Sequence, residues 1–244
     1  MREHVTITIG PDRKPEYKCR EVAWYPSPGN RGAARGKAAS IVVVEPHNAP
    51  EHRHLLDEMF RLRAHVFSGR LDWDVVVIDD MERDRFDDLM PVYIMDTDGP
   101  TVRGSLRLLP TTGPTLSEET FSDTIPDAAA LSAPTIWECS RLCIGDYPVR
   151  MQVEIAANLL IAVGKLCLRH GIETIIANTH ITMMRLCQRV GFDVETLGYT
   201  DRFGERVFLC SSEMTAATVT RIESRRWTDP HVSRAGTLMV AKST

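Results

Sequence analysis

Several features that mark common protein classes are missing from this chain of 244 residues. Its six cysteines form no C-x-x-C pair and lie among apolar residues, which is typical of structural thiols and predicts no metal site. The eight histidines show no H-E-x-x-H spacing, and no serine or cysteine lies in a nucleophile-elbow motif. The zincin and serine-hydrolase classes are therefore excluded.

The chain also lacks a strong charge of either sign and a long apolar run. A net charge of −4 and a pI near 6.1 argue against a nucleic-acid partner. No window approaches the roughly 18 to 20 apolar residues that cross a bilayer, and the N-terminus lacks the apolar centre of a signal peptide. We therefore expect a soluble cytoplasmic protein without membrane insertion.

Composition divides the chain into three parts. Residues 1–40 hold eight Lys/Arg against four Asp/Glu and include the linker-like "YPSPGNRGAARGKAAS", which predicts a basic extension that is mobile or loosely docked. Residues 41–215 have the patterning of one folded domain, since 43% hydrophobic content can furnish a sizeable core. Residues 216–244 are predicted to be a helical or disordered tail.

Periodicity within the domain predicts a mixed α/β fold. A strand at 41–45 and a helix near 50–68 precede an acidic irregular stretch, then a hairpin of strands 92–97 and 102–109. After a long loop follow a strand at 135–144, an apolar helix ending at Gly171, a strand at 173–179, a helix ending at Gly191, and two last strands. This order predicts a three-layer α-β-α sandwich with a splayed mixed sheet, as in acyltransferases.

Six charged residues lie at or near the predicted elements, three acids and three bases. Ions removed from water must be paired, or a desolvation cost of several kcal/mol per ion is not recovered. A mutual network would form a polar cleft for a ligand that carries both an amine and a carboxylate. The alternative is a set of solvated charges, above all in "ERDRFDD". The six are Arg63, Asp84, Asp87, Arg107, Glu138 and Arg141.

Spacing adds two expectations about this cleft. Glu138 and Arg141 are an odd number of residues apart in "IWECSRLCI", so a regular strand would point them to opposite faces. If both enter one cleft, a bulge or twist must intervene. Phe67 lies one helical turn after Arg63, and Trp73 follows, so the two rings either wall a pocket for an adenine or a sulfonium, or close the core below a loop.

Together these stretches resemble the N-acyl-homoserine-lactone synthases, the autoinducer synthases of bacterial quorum sensing. The resemblance covers residues 41 to about 213 and is carried by Arg63-x-x-x-Phe67, Trp73, Asp84-x-Phe86-Asp87, Tyr93, "GSLRLLPTTGP" with Arg107, Phe121, and "WECSRLCI". It implies a GNAT-like fold and two substrates. S-adenosylmethionine supplies the amine and the homoserine skeleton, and an acyl thioester supplies the acyl chain.

The resemblance also implies roles for these residues, with S-adenosylmethionine as a substrate and no cofactor. Glu138 would be the general base that deprotonates the attacking ammonium. Asp84 and Asp87 would hold the S-adenosylmethionine, and Arg63, Arg107 and Arg141 would balance their charge. Phe67 and Trp73 would wall the adenosyl pocket, and Phe121 is grouped with the substrate-binding residues.

The acyl donor gives further expectations. An apolar tunnel between the helix near 151–170 and the strand at 173–179 would hold the acyl chain, where Asn178 and Thr179 either contact a 3-substituent or simply finish the strand. Arg150, Lys165 and Arg169 either form a positive patch for an acidic carrier protein or a solvated helix face. The segment "GDYPVRMQVE" lacks the glycine-rich turn that binds coenzyme A pyrophosphate in ordinary GNAT enzymes, which favours acyl carrier protein over acyl-CoA.

Two other functions fit the same sequence. A GNAT-like N-acyltransferase with a different amine acceptor would keep the fold without needing the Phe67–Trp73 pair or the Asp84/Asp87 pair. A ligand-binding module without catalysis would keep the cleft as a scaffold and show no turnover.

Overall fold

A seven-stranded mixed sheet forms the centre of the protein in a computed structural model that describes residues 39–125, 131–202 and 204–228. The strand order is β1-β4-β5-β6-β7-β9-β8, and only β6 and β7 pair in parallel. Its strands are β1 (Ser40–Val44), β4 (Val92–Asp98), β5 (Thr101–Pro110), β6 (Ile136–Ile144), β7 (Thr174–His180), β8 (Glu195–Thr200) and β9 (Val207–Glu213). A separate two-stranded ribbon pairs β2 (Val77–Ile78) with β3 (Met81–Glu82).

Helices cover both faces of the sheet. Helix α1 (Arg53–Ala64) and the short α2 (Leu116–Thr120) lie on one face, called the front face below. Helices α3 (Val149–His170), α4 (Ile181–Arg189) and α5 (Ala216–Thr228) lie on the other, the back face, where the main apolar core is built around α3. The three-layer mixed α/β fold predicted from the sequence is therefore confirmed.

The predicted elements appear with shifted ends. The helix predicted at 50–68 is three segments in succession, a 3₁₀ turn (Ala49–His52), α1, and a π-helical turn (His65–Arg70). The hairpin turn lies at Gly99 and Pro100 as predicted, with Gly99 at φ 60°. Helix α3 ends at Gly171, whose φ of 68° is the left-handed conformation that favours glycine.

The ends of the chain differ from the predicted division. Helix α5 begins where the C-terminal tail was placed, yet Val219 and Ile222 are buried in the back-face core. The folded domain therefore extends beyond residue 215, because this helix has an apolar side to bury. The predicted basic extension falls on residues 1–38, which lie outside the described residues, on Ala39, and on Ser40, which is the first residue of β1.

The prediction that no segment is apolar enough to cross a membrane is wrong for helix α3. Its 22 residues meet the length and composition of a membrane span, and 72% of the apolar window is buried inside the protein. Periodicity misses this because the helix is apolar almost all round, as a helix packed between a sheet and other helices must be.

The cysteines behave as the sequence indicates. Burial raises the pKa of the Cys167 and Cys187 thiols to about 12, so both stay protonated at neutral pH. All five cysteines within the described residues are free thiols.

Two irregularities of β6 position the site. Opposite β5, the register shifts between Ser105 and Arg107, so Arg141 and Leu142 together face one residue of β5, and Arg141 takes a φ of 55°. On its other side, β6 pairs with β7 only from Ile136 to Glu138, although β6 continues to Ile144. The sheet therefore opens between β6 and β7, beside a bulge that changes the direction of side chains.

Candidate active site

Six charged side chains meet on the front face and form what we call the ion cluster. Five belong to the set singled out from the sequence, and the sixth, Glu82, comes from β3. Three carboxylates face three guanidinium groups, so the cluster is neutral as a whole. Its members are Arg63, Glu82, Asp84, Asp87, Arg107 and Arg141.

Asp87 lies at the centre of the cluster. Its carboxylate accepts hydrogen bonds from Arg63 Nη1 and Nη2 at 2.8 and 3.0 Å, and from Arg107 Nη1 at 2.8 Å. The Tyr93 hydroxyl donates to it at 2.7 Å, and the backbone N–H of Asp84 does so at 2.8 Å. Since each carboxylate oxygen has only two lone pairs, Asp87 has little capacity left for a substrate.

Asp84 is the member of the cluster that reaches solvent, because its side chain is 19% exposed and the others are at most 9% exposed. Arg107 binds both of its oxygens, at 2.5 and 3.1 Å, and Arg141 Nη2 lies 2.8 Å from Oδ2. Asp84 begins the 3₁₀ turn Arg85–Asp88, where it accepts the N–H of Phe86. A ligand would therefore meet the cluster first at Asp84.

The bulge brings Arg141 into the cluster. Ser140 and Cys143, on either side of the bulge, pair with the front-face residues Arg107 and Ser105 of β5, whereas Arg141 would point to the back face of a regular strand. With the extra residue and a positive φ, its guanidinium instead reaches Glu82 Oε1 at 3.1 Å and Asp84. The bulge expected from the odd spacing of Glu138 and Arg141 is present.

Burial and pairing set the protonation states in the cluster. Burial alone would raise the pKa of Asp87, but Arg63 and Arg107 outweigh it and hold this pKa well below its usual range. Burial would lower the pKa of Arg63, yet Glu82 and Asp87 raise it above its ordinary value. Burial, followed by the charge of Asp87, raises the pKa of Tyr93. Asp87 therefore stays ionised at neutral pH and is a poor proton acceptor.

Phe67 and Trp73 stack beside the cluster, with ring centroids 5.0 Å apart and planes 16° from parallel. The π-helical turn explains their spacing, since the N–H of Trp73 folds back to the carbonyl of Phe67 at 2.8 Å. Arg141 lies over the Phe67 ring, 5.4 Å from its centroid. Phe67 is buried and Trp73 half-buried, so the indole is the ring that a ligand could contact.

Glu138 shares the front face with the cluster but has other partners. It lies two residues before Ser140, which accepts a hydrogen bond from Arg107 Nε at 3.1 Å. Its own carboxylate accepts the backbone N–H groups of Leu116 at 3.0 Å and Ser117 at 2.6 Å. Because strand residues rise about 3.3 Å each, Glu138 and Ser140 are roughly 7 Å apart along β6. Glu138 therefore adjoins the cluster without joining its ion pairs.

Residues 115–125, called the crossing segment below, contain α2, Phe121 and a 3₁₀ turn (Ser122–Thr124). Phe121 is half-buried, and its carbonyl accepts bonds from Thr124. The segment also packs against β8, where a Cβ added at Gly198 would lie 2.1 Å from the Thr124 carbonyl oxygen. Only glycine permits so close an approach at that position.

Asn178 and Thr179 point to opposite faces of β7, since Ile175 and Ala177 contact the back-face core. Asn178 faces the crossing segment and Thr179 faces the back. Only Thr179, half-buried on the back face, thus lies on the side where the acyl tunnel is expected.

The three cations expected to form one positive patch are separated. Arg150 lies 15 positions before Lys165 on α3, about 22 Å at a rise of 1.5 Å per residue. Lys165 forms an ion pair with Glu223 of α5 at 2.7 Å, and Arg169 is exposed one turn further on. A single patch of all three is therefore wrong, because α3 carries them to opposite ends.

Glu82 is the cluster member that the sequence analysis missed. It is fully buried and bonds Arg63 Nε at 2.5 Å and Arg141 Nε at 3.2 Å. Glu82 lies two residues before Asp84 in "MERDRFDD", and in an extended chain this spacing places both side chains on the same side. The spacing was therefore a signal, but an acidic run resembles a solvated loop. Within the described residues, no group of three or more His, Cys, Asp or Glu side chains is placed to hold a metal ion.

Comparison with known proteins gives a consistent result. Residues 47–221 match the family model described as autoinducer synthase. An acyl-homoserine-lactone synthase of Rhizobium etli is 41% identical over 145 residues, which are 57% of this chain and 68% of that protein. That of Pseudomonas aeruginosa is 35% identical over 172 residues, 68% of this chain and 86% of that protein.

Solved structures agree. The AHL synthase LasI superposes with a TM-score of 0.69 at 27% identity, covering 85% of this chain and all of that one. A CoA-dependent acyl-homoserine lactone synthase, BjaI, solved with SAM and isopentyl-CoA, gives 0.66 at 29% identity, covering 77% and 89%. The family model spans most of the chain and the fold agrees over the same region. The chain therefore belongs to the autoinducer synthase family, whose members include acyl-homoserine-lactone synthases.

Proposed function

We propose that this protein makes an N-acyl-homoserine lactone from S-adenosylmethionine and an acyl thioester, and that the front-face ion cluster binds the S-adenosylmethionine. The observation that carries this is a neutral cluster of three acids and three arginines beside a stacked Phe67–Trp73 pair. Such a cluster offers a carboxylate to an ammonium and a guanidinium to a carboxylate within one small volume.

Within this cluster, Asp84 is the group proposed to receive the substrate ammonium, because it is the most exposed of the three carboxylates. Arg107, Arg141 and the N–H of Phe86 already bind both oxygens of Asp84, so the ammonium would replace one of these donors at the exposed carboxylate. The half-buried Trp73 contacts the adenosyl group or the sulfonium, with a cation–π attraction of about 0.5 to 2 kcal/mol. Phe121 approaches the substrates from the crossing segment.

Glu138 is the proposed general base, acting through a water. Asp87 is unsuited to that role because its pKa lies far below neutral pH. Among the described residues, the hydrogen-bond donors to Glu138 are two neutral backbone N–H groups, one on each oxygen, so each oxygen keeps a lone pair. With the proton gone, the amine attacks the thioester carbonyl, so a C–N bond forms, the C–S bond breaks and the thiol leaves.

Lactone closure follows on the same substrate. The S-adenosylmethionine carboxylate attacks the methylene next to the sulfonium, an O–C bond forms, and the C–S⁺ bond breaks to release methylthioadenosine. No methyl group is transferred. Arginines that hold the carboxylate in the cluster orient it for this second attack.

The acyl thioester is proposed to enter where β6 and β7 part. Beyond Glu138, the edge of β6 that faces β7 pairs with no strand of the described chain, so its backbone groups can bond the amides of the thioester arm and the developing oxyanion. The acyl chain would pass toward α3, near Thr179. BjaI takes CoA thioesters, but the loop before α3 lacks a glycine-rich turn, which supports acyl carrier protein as the donor here.

A carrier protein could dock near Arg150 at the start of α3, or near Lys165 and Arg169 at its end. Arg150 lies in the first turn of α3, shortly after the end of the splayed strand β6, so we favour it over the other two. Both substrates occur in the cytoplasm, which supports a cytoplasmic location.

The test is to mix the purified protein with S-adenosylmethionine and a panel of acyl-carrier-protein and acyl-CoA thioesters, and to analyse products by mass spectrometry. We expect an acyl-homoserine lactone and methylthioadenosine in equal amounts, with carrier-protein donors giving the higher kcat/KM. Acylation of another amine without methylthioadenosine would indicate a different N-acyltransferase. Binding of S-adenosylmethionine with no turnover of any donor would indicate a binding module.

A further inference from the structure

The crossing segment is tied to both strands that border the opening in the sheet. On the β6 side, Glu138 accepts the N–H groups of Leu116 and Ser117. On the β7 side, the Asn178 amide donates to Ser117 Oγ at 2.6 Å, and its carbonyl oxygen lies 3.2 Å from Thr124 Oγ1, whose one proton it shares with the nearer Phe121 carbonyl. Both ends of the Asn178 side chain are thus used by this one segment.

Ser117 is the residue that the two strands share. Its backbone N–H binds Glu138 Oε2 at 2.6 Å while its hydroxyl binds Asn178. Ser117 and Glu138 are each 1% exposed, so water cannot readily replace the bond between them, whereas Asn178 is half-buried. The contacts therefore form a chain, Asn178 to Ser117 to Glu138, that joins β7 to β6 where their backbones no longer pair.

Asn178 is an unusual residue for its place. Asparagine is depleted in strands, and an apolar residue would pack there without polar groups to satisfy. Within the part of the chain that the structure describes, its side-chain hydrogen bonds are those to Ser117 and Thr124 of the crossing segment. Asn178 lies outside the ion cluster, so binding of S-adenosylmethionine there does not account for it.

We propose that Asn178 is a positioning residue for Glu138. By holding the Ser117 hydroxyl, it fixes the peptide N–H that orients the Glu138 carboxylate toward the attacking amine. The proposal rests on the role of Glu138 as general base. A base must lie within hydrogen-bond reach of the proton, and a misplacement of about 1 Å can cost up to roughly 10²-fold in rate.

Asn178→Leu tests this, since leucine has a similar volume and no amide. We expect kcat to fall about tenfold while KM for both substrates changes less than about twofold, because orientation of the base is lost and binding is not. Ser117→Ala removes the hydroxyl but keeps the backbone N–H, and we expect a similar fall. The double variant should be no slower than either single variant, since all three break the same chain of bonds.

Thr200→Val is the matched control. It removes the bond from Thr200 Oγ1 to Asp123 Oδ2, 2.5 Å long, at the other end of the crossing segment. We expect wild-type kcat in this variant. An equal fall in kcat, additive losses in the double variant, or a rise in the KM of the thioester alone would overturn the proposal, since each indicates a general anchor or a tunnel wall.

Amide hydrogen exchange separates this proposal from the proposed reaction. The N–H groups of Leu116 and Ser117 should exchange faster in Asn178→Leu than in the wild type, whether or not a lactone forms. Unchanged exchange would overturn the proposal. If Asn178→Leu does not fold, Ser117→Ala provides the test. A lower kcat with unchanged KM values supports the proposal, and a wild-type kcat refutes it. A wild type that makes no lactone from any thioester refutes the reaction instead.

Discussion

At the scale of single residues, every charge of the ion cluster is paired with opposite charges or with hydrogen-bond donors. Each guanidinium bonds at least two carboxylates, and each carboxylate bonds at least two arginines or backbone donors. Removal of one buried partner is costly, since it leaves an uncompensated charge in a place that water does not reach. A substitution that preserves the shape of one of these side chains but removes its charge should therefore alter the properties of the cluster.

Glu82→Gln keeps the shape of the side chain and removes its charge. Because Glu82 bonds Arg63 and Arg141, the cluster gains one net positive charge next to the proposed site of a cationic substrate. We expect KM for S-adenosylmethionine to rise about tenfold, equivalent to roughly 1.4 kcal/mol, with little change in KM for the thioester. Steady-state kinetics with each substrate varied in turn measures this.

The control for that variant is Asp96→Asn, which breaks a buried pair of the other face. Asp96 bonds Arg103 Nε at 2.6 Å and Asn158 at 2.8 Å, away from the front-face residues. It should lower the unfolding midpoint without altering KM for S-adenosylmethionine. If both variants changed that KM alike, Glu82 would have no specific part in binding.

Glu138→Gln removes the proposed base and keeps one carbonyl oxygen, which can accept the N–H of Leu116 or of Ser117, whereas its NH2 group faces the other N–H. We expect kcat to fall by about 10² to 10⁴, the usual contribution of a positioned general base. Binding of S-adenosylmethionine, measured by calorimetry, should stay within about threefold of wild type, because Glu138 is outside the ion pairs. Near-normal turnover would remove Glu138 from the role.

At the scale of elements, close packing of helices on the back face supports the site from behind. Helix α5 lies on α3 where Gly164 has no side chain, and a Cβ added there would be 2.5 Å from Val219 Cγ2. The main core contains both helices. Contact between α3 and α5 therefore depends on a glycine inside a helix, where glycine is otherwise unfavourable.

Gly164→Ala is expected to lower the free energy of unfolding by about 1 to 3 kcal/mol, the usual cost of overpacking, although alanine favours helix. Urea denaturation followed by circular dichroism measures it. Gly113→Ala is the matched control, since the nearest atom to its added Cβ, Pro110 O, is 4.0 Å away. Equal stability of the two variants would show that α5 can move away from α3 at no cost.

At the scale of the whole molecule, the cluster links stability to pH. The folded pKa of Asp87 lies below the ordinary value of 3.8, so its contribution is present above pH 3.8 and is lost as the pH falls through that value toward the folded pKa. Burial of Asp96 raises its pKa, despite the pairing with Arg103. The contribution of Asp96 to folding stability is therefore present at low pH and is lost as the pH rises. A fall in pH therefore weakens the contribution of Asp87 to stability and strengthens that of Asp96.

Asp87→Asn should destabilise the protein most near neutral pH, by about 3 to 5 kcal/mol, and the difference from wild type should shrink below pH 3.8. The measurement is urea unfolding of both proteins at several pH values. For Asp96→Asn, the stability relative to wild type should improve as the pH rises. A difference independent of pH for Asp87→Asn would show that its pKa is not lowered by folding.

The sequence by itself determined the order of the elements, the mixed α/β class and most members of the cluster. Local periodicity, glycine helix ends and charges that need partners are properties of short stretches, so they can be read without coordinates. Arg63, Asp84, Asp87, Arg107 and Arg141 were found in this way, and so was the need for a bulge in β6.

Tertiary structure decided which charges touch and which stay apart. Glu82 joined the cluster because the ribbon of β2 and β3 folds over α1, and Glu138 was bound by the crossing segment because the loop after β5 returns to the sheet. Arg150 and Lys165 were separated by the length of one helix, and α5 became part of the core. Such contacts join residues far apart in the chain, where spacing carries no information about distance.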